Sequence, residues 1–375
     1  MNLHLLILFK LIDLKSWDHM SELDLYLIPG IAIIFSFLFV FFTIPSLISF
    51  CKRYNLLDQP HPRKSHTDST PHLGGVIIFL GFLITLAIFA PGETLWEYRY
   101  AVIAMAILFC VGLWDDIQPI NPWIKLFWQL FSASFMLILS HLHINSMFGL
   151  FGVNEISGFL SYLVSTLLVL TIINGVNLLD GINGLSTTIT VILASFMGVW
   201  YHLTGFYGLS LFSFILVGVG FAFLKYNWTP AKLFMGDSGS MVIGVGLSFL
   251  VISFFQSDHL MILTKSPFAI SKAPVIVLGA LILPLIDTCR VFFLRIAKGD
   301  SPLYPDRKHL HHLLIDQGFS HAQTTVILSM SQLSFILIAL GIHELSYTTA
   351  LIFLISSIAL LYFIFLLASR QNEVV

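Results

Sequence analysis

Two adjacent carboxylates, Asp115 and Asp116, close a long apolar run in FCVGLWDDIQP. Like charges side by side repel, and the repulsion grows near a low-dielectric boundary. A divalent cation or a shared proton would relieve it; the plainer reading is a solvated helix end. FMGDSGS holds a second hard-oxygen donor, Asp237, between Gly236 and Gly239. Such a carboxylate suits Mg2+, and glycine-freed amides at a helix start suit phosphate. Ser238 or Ser240 is placed to cap the helix that follows. In NGVNLLDGINGLS, Asn177, Asp180 and Asn183 surround Gly181 and Gly184, which permit a tight turn. The alternative there is a simple capping loop.

The segment DRKHLHHLL gathers Arg307, Lys308, His309, His311 and His312. His-x-His-His could hold a transition metal, but no cysteine is near and the two cations would repel a metal. Donors to phosphate oxygens fit this set better. Lys64, with Arg63 and His66 in PHPRKSH, reads equally as ordinary loop charge or as part of that anion site. Asp287 and Arg290, three residues apart, are expected to pair on one helix face. The three cysteines show neither metal nor redox spacing.

The elements that must carry these residues are membrane spans. The chain is 57% hydrophobic and 10% charged, with a mean hydropathy of +0.91; soluble domains are about 25% charged. Runs of about 20 apolar residues predict helices across a bilayer. Eleven are expected, at roughly 25–50, 74–92, 98–114, 123–141, 156–173, 184–202, 205–224, 238–256, 273–293, 322–341 and 347–368. The fold class is therefore an all-α polytopic membrane protein, one domain over 1–375, with residues 1–24 as an N-terminal extension. That extension lacks a clear cleavage site and is not read as a signal peptide. With span 1 ending inside, thirteen of the 18 Lys and Arg residues fall inside. The N-terminus is then outside and the C-terminus inside. A net charge of -2 makes no case for nucleic acid.

Under this topology five polar loops share the cytoplasmic face. Ionisable groups at membrane depth are costly and usually functional. Hard-metal carboxylates, phosphate donors and glycine turns together imply Mg2+-dependent chemistry on a phosphate-containing substrate. An anionic-lipid transporter or flippase is the first alternative, although that reading wants charge near mid-span. A membrane metallohydrolase of nucleotide-sugars is the second.

The ordered motifs LLDQPHPRKSHTDSTPHLGG, WDD, NLLDGINGLS, NWTPAKLFMGDSGS, PLIDTCR and SPLYPDRKHLHHLL resemble those of the polyprenyl-phosphate N-acetylhexosamine-1-phosphate transferases, glycosyltransferase family 4, over residues 45–315. Asp306-Arg307-Lys308 followed by His309-Leu310-His311-His312 looks like the simple-sugar WecA/TagO-like branch and not its relative that builds peptidoglycan precursors. The resemblance implies transfer of a sugar-1-phosphate, N-acetylglucosamine first among candidates, from a UDP-sugar to undecaprenyl phosphate with release of UMP. The setting implied is the bacterial inner membrane and the opening of an envelope glycan, with homodimer formation left open. It implies Mg2+, with Mn2+ as the alternative, on Asp237, and Asp115–Asp116 at the lipid phosphate, with a share in the metal and one of them as base. Asp180 and Asn177 would adjoin nucleotide and metal. Phe234 would stack on uracil and Asn227 would bond the nucleoside. Arg307, His309, His311 and His312 would hold pyrophosphate or sugar, and Lys64 would add to substrate binding. Direct transfer and an aspartyl-phosphate intermediate both stay open. One departure stands out: the family commonly has an aspartate where this chain has Asn183, which accepts hydrogen bonds but carries no charge.

Overall fold

The computed structural model describes residues 17, 20–58, 70–150, 152–263, 270, 272–297 and 309–371. Lys64 and Arg307 lie outside them. The described chain is a bundle of thirteen helices with two short ribbons. α1 (Glu22–Arg53) begins on a capping box at Ser21 and Asp24. The ribbon of β1 (Leu57–Asp58) and β2 (Thr70–Pro71) follows, then α2 (Gly74–Phe89), α3 (Gly92–Ile117) and α4 (Pro122–Leu139). A hairpin of β3 (Ser146–Leu150) and β4 (Val153–Glu155) precedes α5 (Gly158–Leu179), α6 (Leu185–Leu203), α7 (Tyr207–Asn227) and α8 (Gly236–Leu263). The rest is α9 (Ala273–Ala280), α10 (Ile282–Ala297), α11 (Leu310–Asp316), α12 (His321–Ile342) and α13 (Tyr347–Gln371).

Eight of these helices are long and apolar enough to cross a membrane; α2 and residues 347–360 of α13 are shorter apolar helices. The chain is a multi-pass membrane protein. Each expected span has a helical counterpart, and the third, 98–114, lies within the 26-residue α3. A hairpin, β3 with β4, fills the connection between α4 and α5.

α8 is apolar on all sides, and its apolar stretch is wholly buried. It packs against α2, α3 and α5. By contrast, only a third of the apolar stretches of α1 and α3 is buried. Residues such as Leu23, Ile34, Phe42 and Ile103 turn outward, where hydrocarbon is a suitable neighbour.

The ninth expected span, 273–293, is broken between α9 and α10. Pro284 has no N–H to return to the carbonyl of Ala280. The amide of Gln332, fully buried on α12, enters the gap. Its Nε2 donates to Ala280 O at 2.8 Å and Gly279 O at 3.0 Å, and its oxygen accepts from Leu283 N at 3.4 Å. A side chain inserted into the helical ladder beside a proline is a sufficient cause of a break.

Candidate active site

The polar motifs meet at one end of the bundle, and the meeting is built on α8. Gly236 precedes its first turn at φ +73°, where a Cβ would lie 2.6 Å from Asp116 Oδ2 and 2.2 Å from His72 O. Only glycine suits that conformation and that closeness. One turn back on α3, a Cβ at Gly112 would lie 2.5 Å from Ser238 N, so α3 passes directly against the α8 start.

This contact gives Asp116 its role. Asp116 Oδ1 accepts from Asp237 N at 2.7 Å, and Oδ2 accepts from Ser238 N at 3.1 Å and Ser238 Oγ at 2.6 Å. Asp180 accepts from the backbone N–H of Gly236. Two carboxylates thus occupy the amides read from sequence as a phosphate cradle. Asp116 acts as a remote cap at the positive end of a helix dipole. Asp116 thereby takes the capping place expected of Ser238 or Ser240. Burial, then the charges of Asp237 and Asp116, hold Asp180 well above the usual carboxylate range.

Asp115 lies about 100° around α3 from its neighbour and meets other groups. Its Oδ1 accepts from Ile120 N at 2.8 Å, closing the turn into α4. Its Oδ2 lies 2.6 Å from Lys125 Nζ, which also pairs with Asp237 Oδ2. Lys125 was not singled out from the sequence; the signal was a lone cation one turn into an apolar helix. His72 was also missed, and its Nε2 meets Asp116 O at 2.6 Å.

Asn177 donates from Nδ2 to Asp237 Oδ1 at 2.5 Å and to Ser240 Oγ at 2.8 Å, so it orients the carboxylate. Asn227 is buried: its Oδ1 accepts from Gly184 N at 2.9 Å and its Nδ2 donates to Leu233 O at 3.0 Å. It ties the 181–184 turn to the 228–235 loop. Phe234 sits half-buried on that loop, which pairs with the 71–75 segment through Phe234 N to Pro71 O (2.8 Å) and Gly75 N to Met235 O (2.8 Å). Asn183 makes one long side-chain contact, Nδ2 to Thr229 Oγ1 at 3.5 Å.

The histidines approach from the other side. Asp287 does not pair with Arg290: its Oδ1 accepts from Leu310 N at 2.8 Å and its Oδ2 lies 3.0 Å from His309 Nδ1. A free amide at the α11 start and an imidazole are the closer partners. His309 thereby fixes α11, and His311 is carried to the 181 turn, where a Cβ on Gly181 would lie 2.7 Å from His311 Nε2. His311 is 1% exposed, and neither ring nitrogen has a hydrogen-bond partner among the described residues. Burial, then the neighbours His312, His309 and His321, push its pKa well below the ordinary imidazole value. That direction favours the uncharged ring. His312 stands beside it, with ring centroids 4.3 Å apart.

The donor set fits a hard divalent cation. Asp115 and Asp237 turn oxygens toward one shared positive charge, the Lys125 ammonium. Among the described residues no cage of three or more His, Cys, Asp or Glu stands ready for a metal. Mg2+ typically takes one or two carboxylates and completes its shell with water and substrate phosphate.

Residues 98–255, which hold every member of the carboxylate cluster, match the family model described as glycosyl transferase family 4. The chain is 28% identical over 284 residues to the undecaprenyl-phosphate alpha-N-acetylglucosaminyl 1-phosphate transferase of Yersinia pestis, covering 74% of each chain. It is 29% identical over 302 residues to the probable undecaprenyl-phosphate N-acetylglucosaminyl 1-phosphate transferase of Bacillus subtilis, covering 80% of each. It is 28% identical over 306 residues to the Escherichia coli K12 protein named like the first, covering 80% of this chain and 78% of the relative. With its motifs gathered in one site, the chain is similar to glycosyl transferase family 4 over residues 98–255 and to these transferases over most of its length.

Proposed function

We propose that this protein transfers N-acetylglucosamine 1-phosphate from UDP-N-acetylglucosamine to undecaprenyl phosphate, releasing UMP, and so opens the synthesis of an envelope glycan. The observation that carries the reading is the Lys125 ammonium shared by Asp115 and Asp237 at the end of a membrane bundle. A phosphate monoester and a diphosphate repel each other, so bringing them together needs cations, and cations in turn need carboxylates to hold them. The cluster lies at helix ends, at the close of α3 and the start of α8. That suits a lipid headgroup better than a mid-span transport site.

In the reaction an oxygen of the lipid phosphate attacks the sugar-bearing phosphorus of the donor. The bond from that phosphorus to the bridging oxygen breaks, and UMP leaves with the electron pair. Asp115 and Asp237 would hold Mg2+, which would offset the phosphate charge when bound. Asn177 keeps Asp237 oriented. Lys125 is the further cation for the phosphates, and Asp116 and Asp180 hold the α8 start still beneath them. His311 donates a neutral N–H to the donor substrate. The site faces the cytoplasm in the inner membrane, with the N-terminus outside and the C-terminus inside.

The test is UMP release by the purified protein with Mg2+ and a panel of UDP-sugars, with and without undecaprenyl phosphate. Release that needs the lipid and is greatest with UDP-N-acetylglucosamine supports the proposal. Lipid-independent release means a hydrolase, and no release with any donor sinks the reading.

A further inference from the structure

A helix ends on carbonyls that have no partner within the helix. At the end of α3, Trp114 O is met by Gln118 N at 2.8 Å, which closes the ladder. Asp116 O, two residues on, is met from outside the helix by His72 Nε2 at 2.6 Å. A carbonyl oxygen only accepts, so Nε2 carries the proton. The other ring nitrogen, Nδ1, is buried and has no hydrogen-bond partner among the described residues. A buried polar atom left unpaired is unfavourable and calls for a reason. The reason lies with its ring-mate. An apolar side chain would fill the same space with no orphaned nitrogen, but it would leave Asp116 O bare.

We propose that His72 is a positioning residue: it brackets the end of α3 to the approach of α8, and so fixes how Asp115 and Asp237 stand across Lys125. The consequence for turnover rests on the transferase reading above; the bracket itself does not. His72 belongs to the 71–75 segment, which pairs with the chain leading into α8. There Phe234 N donates to Pro71 O at 2.8 Å, Gly74 N to Phe234 O at 3.0 Å and Gly75 N to Met235 O at 2.8 Å. The carbonyl of His72 packs so near Gly236 that a Cβ there would lie 2.2 Å from it. The backbone of His72 is thus fastened to α8, and its side chain to α3.

Residue 116 is then held at two points. His72 holds its carbonyl, and the amides of Asp237 and Ser238 hold its carboxylate. Two fixed points on one residue leave the helix end no freedom to rotate. Asp115 is the preceding residue on the same turn, so its aim at Lys125, 2.6 Å away, is fixed with it. Without the imidazole only the carboxylate of Asp116 remains tied, and the last turn is free to swing about that tie. A misplacement of about 1 Å can lower turnover about a hundredfold. The effect belongs in kcat, because the Asp115–Lys125–Asp237 group is assigned to the transfer and His311 to donor binding.

Amide side chains tell the two nitrogens apart. His72→Gln puts an amide nitrogen near the place of Nε2, His72→Asn near that of Nδ1, and His72→Phe keeps a ring with neither. His72→Phe and His72→Asn should lower kcat about tenfold to a hundredfold with the UDP-sugar KM unchanged, and His72→Gln should stay within about threefold of wild type. Hydrogen exchange in nanodiscs reads the bracket without turnover. The amides of Ile120, Asp237 and Ser238 donate to the two adjacent carboxylates. They should exchange about tenfold faster in His72→Phe and His72→Asn, and at the wild-type rate in His72→Gln. A His72→Gln protein no better than His72→Asn overturns the assignment, as does equal exchange in all four proteins. If His72→Phe misfolds, the comparison of His72→Gln with His72→Asn still decides. If the UMP assay defeats the transferase reading, the exchange rates still decide the bracket.

Discussion

The carboxylate side and the histidine side of the site are built in opposite ways. On the first, Asp115, Asp116, Asp180 and Asp237 all have protein partners; two of them, Asp116 and Asp180, hold the first turn of α8, to which Asp237 belongs. On the second, His311 is as buried as a core leucine, yet both its ring nitrogens are unpaired among the described residues. A buried polar atom left unpaired costs about 1–3 kcal/mol, and such an atom in a folded protein calls for an explanation. On the reading proposed above, the first side is fixed before substrate arrives, while His311 on the second keeps its ring nitrogens for substrate. Substitutions on the first side should therefore strike turnover or folding, and those on the second should strike donor binding.

The largest effect is expected at Asp237, where Lys125, Asn177 and the proposed Mg2+ converge. Asp237→Asn should lower kcat about a thousandfold or more while the protein still inserts and folds. Near-normal turnover at saturating Mg2+ would remove the centre from the fixed half.

Next come the two neighbours on α3. Asp115→Asn should cut kcat and leave the apparent Tm unchanged, because its loss falls on the Lys125 pair. Asp116→Asn should lower the apparent Tm, since a helix cap contributes about 1–2 kcal/mol, and should cost activity only through the displaced α8 start. Thermal unfolding and steady-state kinetics on both variants check this. Identical profiles would mean that the two carboxylates are not divided between chemistry and scaffold.

Much of this was legible in the sequence, and what was not has physical reasons. Adjacent carboxylates, glycine turns and apolar runs announced the membrane bundle and the polar motifs that meet at its end. Identity alone could not tell Asp115 from Asp116, because one residue's rotation about α3 decides which meets Lys125 and which meets α8. Lys125 was hidden among the thirteen inward-side cations, since its worth lies in two carboxylates 10 and 112 residues away along the chain. Asp287 showed a local partner at helical spacing, but the amide of Leu310, 23 residues on, outcompetes it. The break after Ala280 was signalled by Pro284, while the glutamine that satisfies it sits on another helix.

His311→Phe tests the open half. It keeps an aromatic ring and removes both nitrogens. The donor KM should rise about tenfold to a hundredfold, the range for a lost buried partner. Stability should hold or improve, because two orphaned atoms disappear. The variant should also flatten an acid limb. The folded pKa of His311 lies below the ordinary 6.5, so the unfolded chain binds the proton more readily between the two values. Stability from this group is present above 6.5 and is lost as pH falls below it. Apparent Tm measured from pH 7.5 down to 5 should therefore drop more in the wild type than in the variant. Parallel curves would show that His311 is not the neutral group described above.

The smallest effect is expected from Asn183→Asp, at the seam between the halves. The amide of Asn183 reaches Thr229 Oγ1 at 3.5 Å, the outer limit of a hydrogen bond. Its firmer tie is through the backbone, where its carbonyl accepts from Thr325 Oγ1 at 2.9 Å, and that tie survives any side chain. A carboxylate at 183 loses an amide donor, but the Thr229 hydroxyl can turn and donate instead. The turn should therefore keep its shape. The cost is electrostatic: one more negative charge joins a site that already holds four carboxylates and must accept a diphosphate. Proposed Mg2+ and Lys125 offset part of it. Transfer should stay within about fivefold of wild type, a change near 1 kcal/mol, with any shift confined to the preference among UDP-N-acetylhexosamines. Values of kcat/KM for UDP-N-acetylglucosamine and UDP-N-acetylgalactosamine in both proteins decide the matter. Loss of activity toward both donors would mean that the substrate needs the amide N–H of Asn183, and position 183 would then belong with His311 among the groups kept for the ligand.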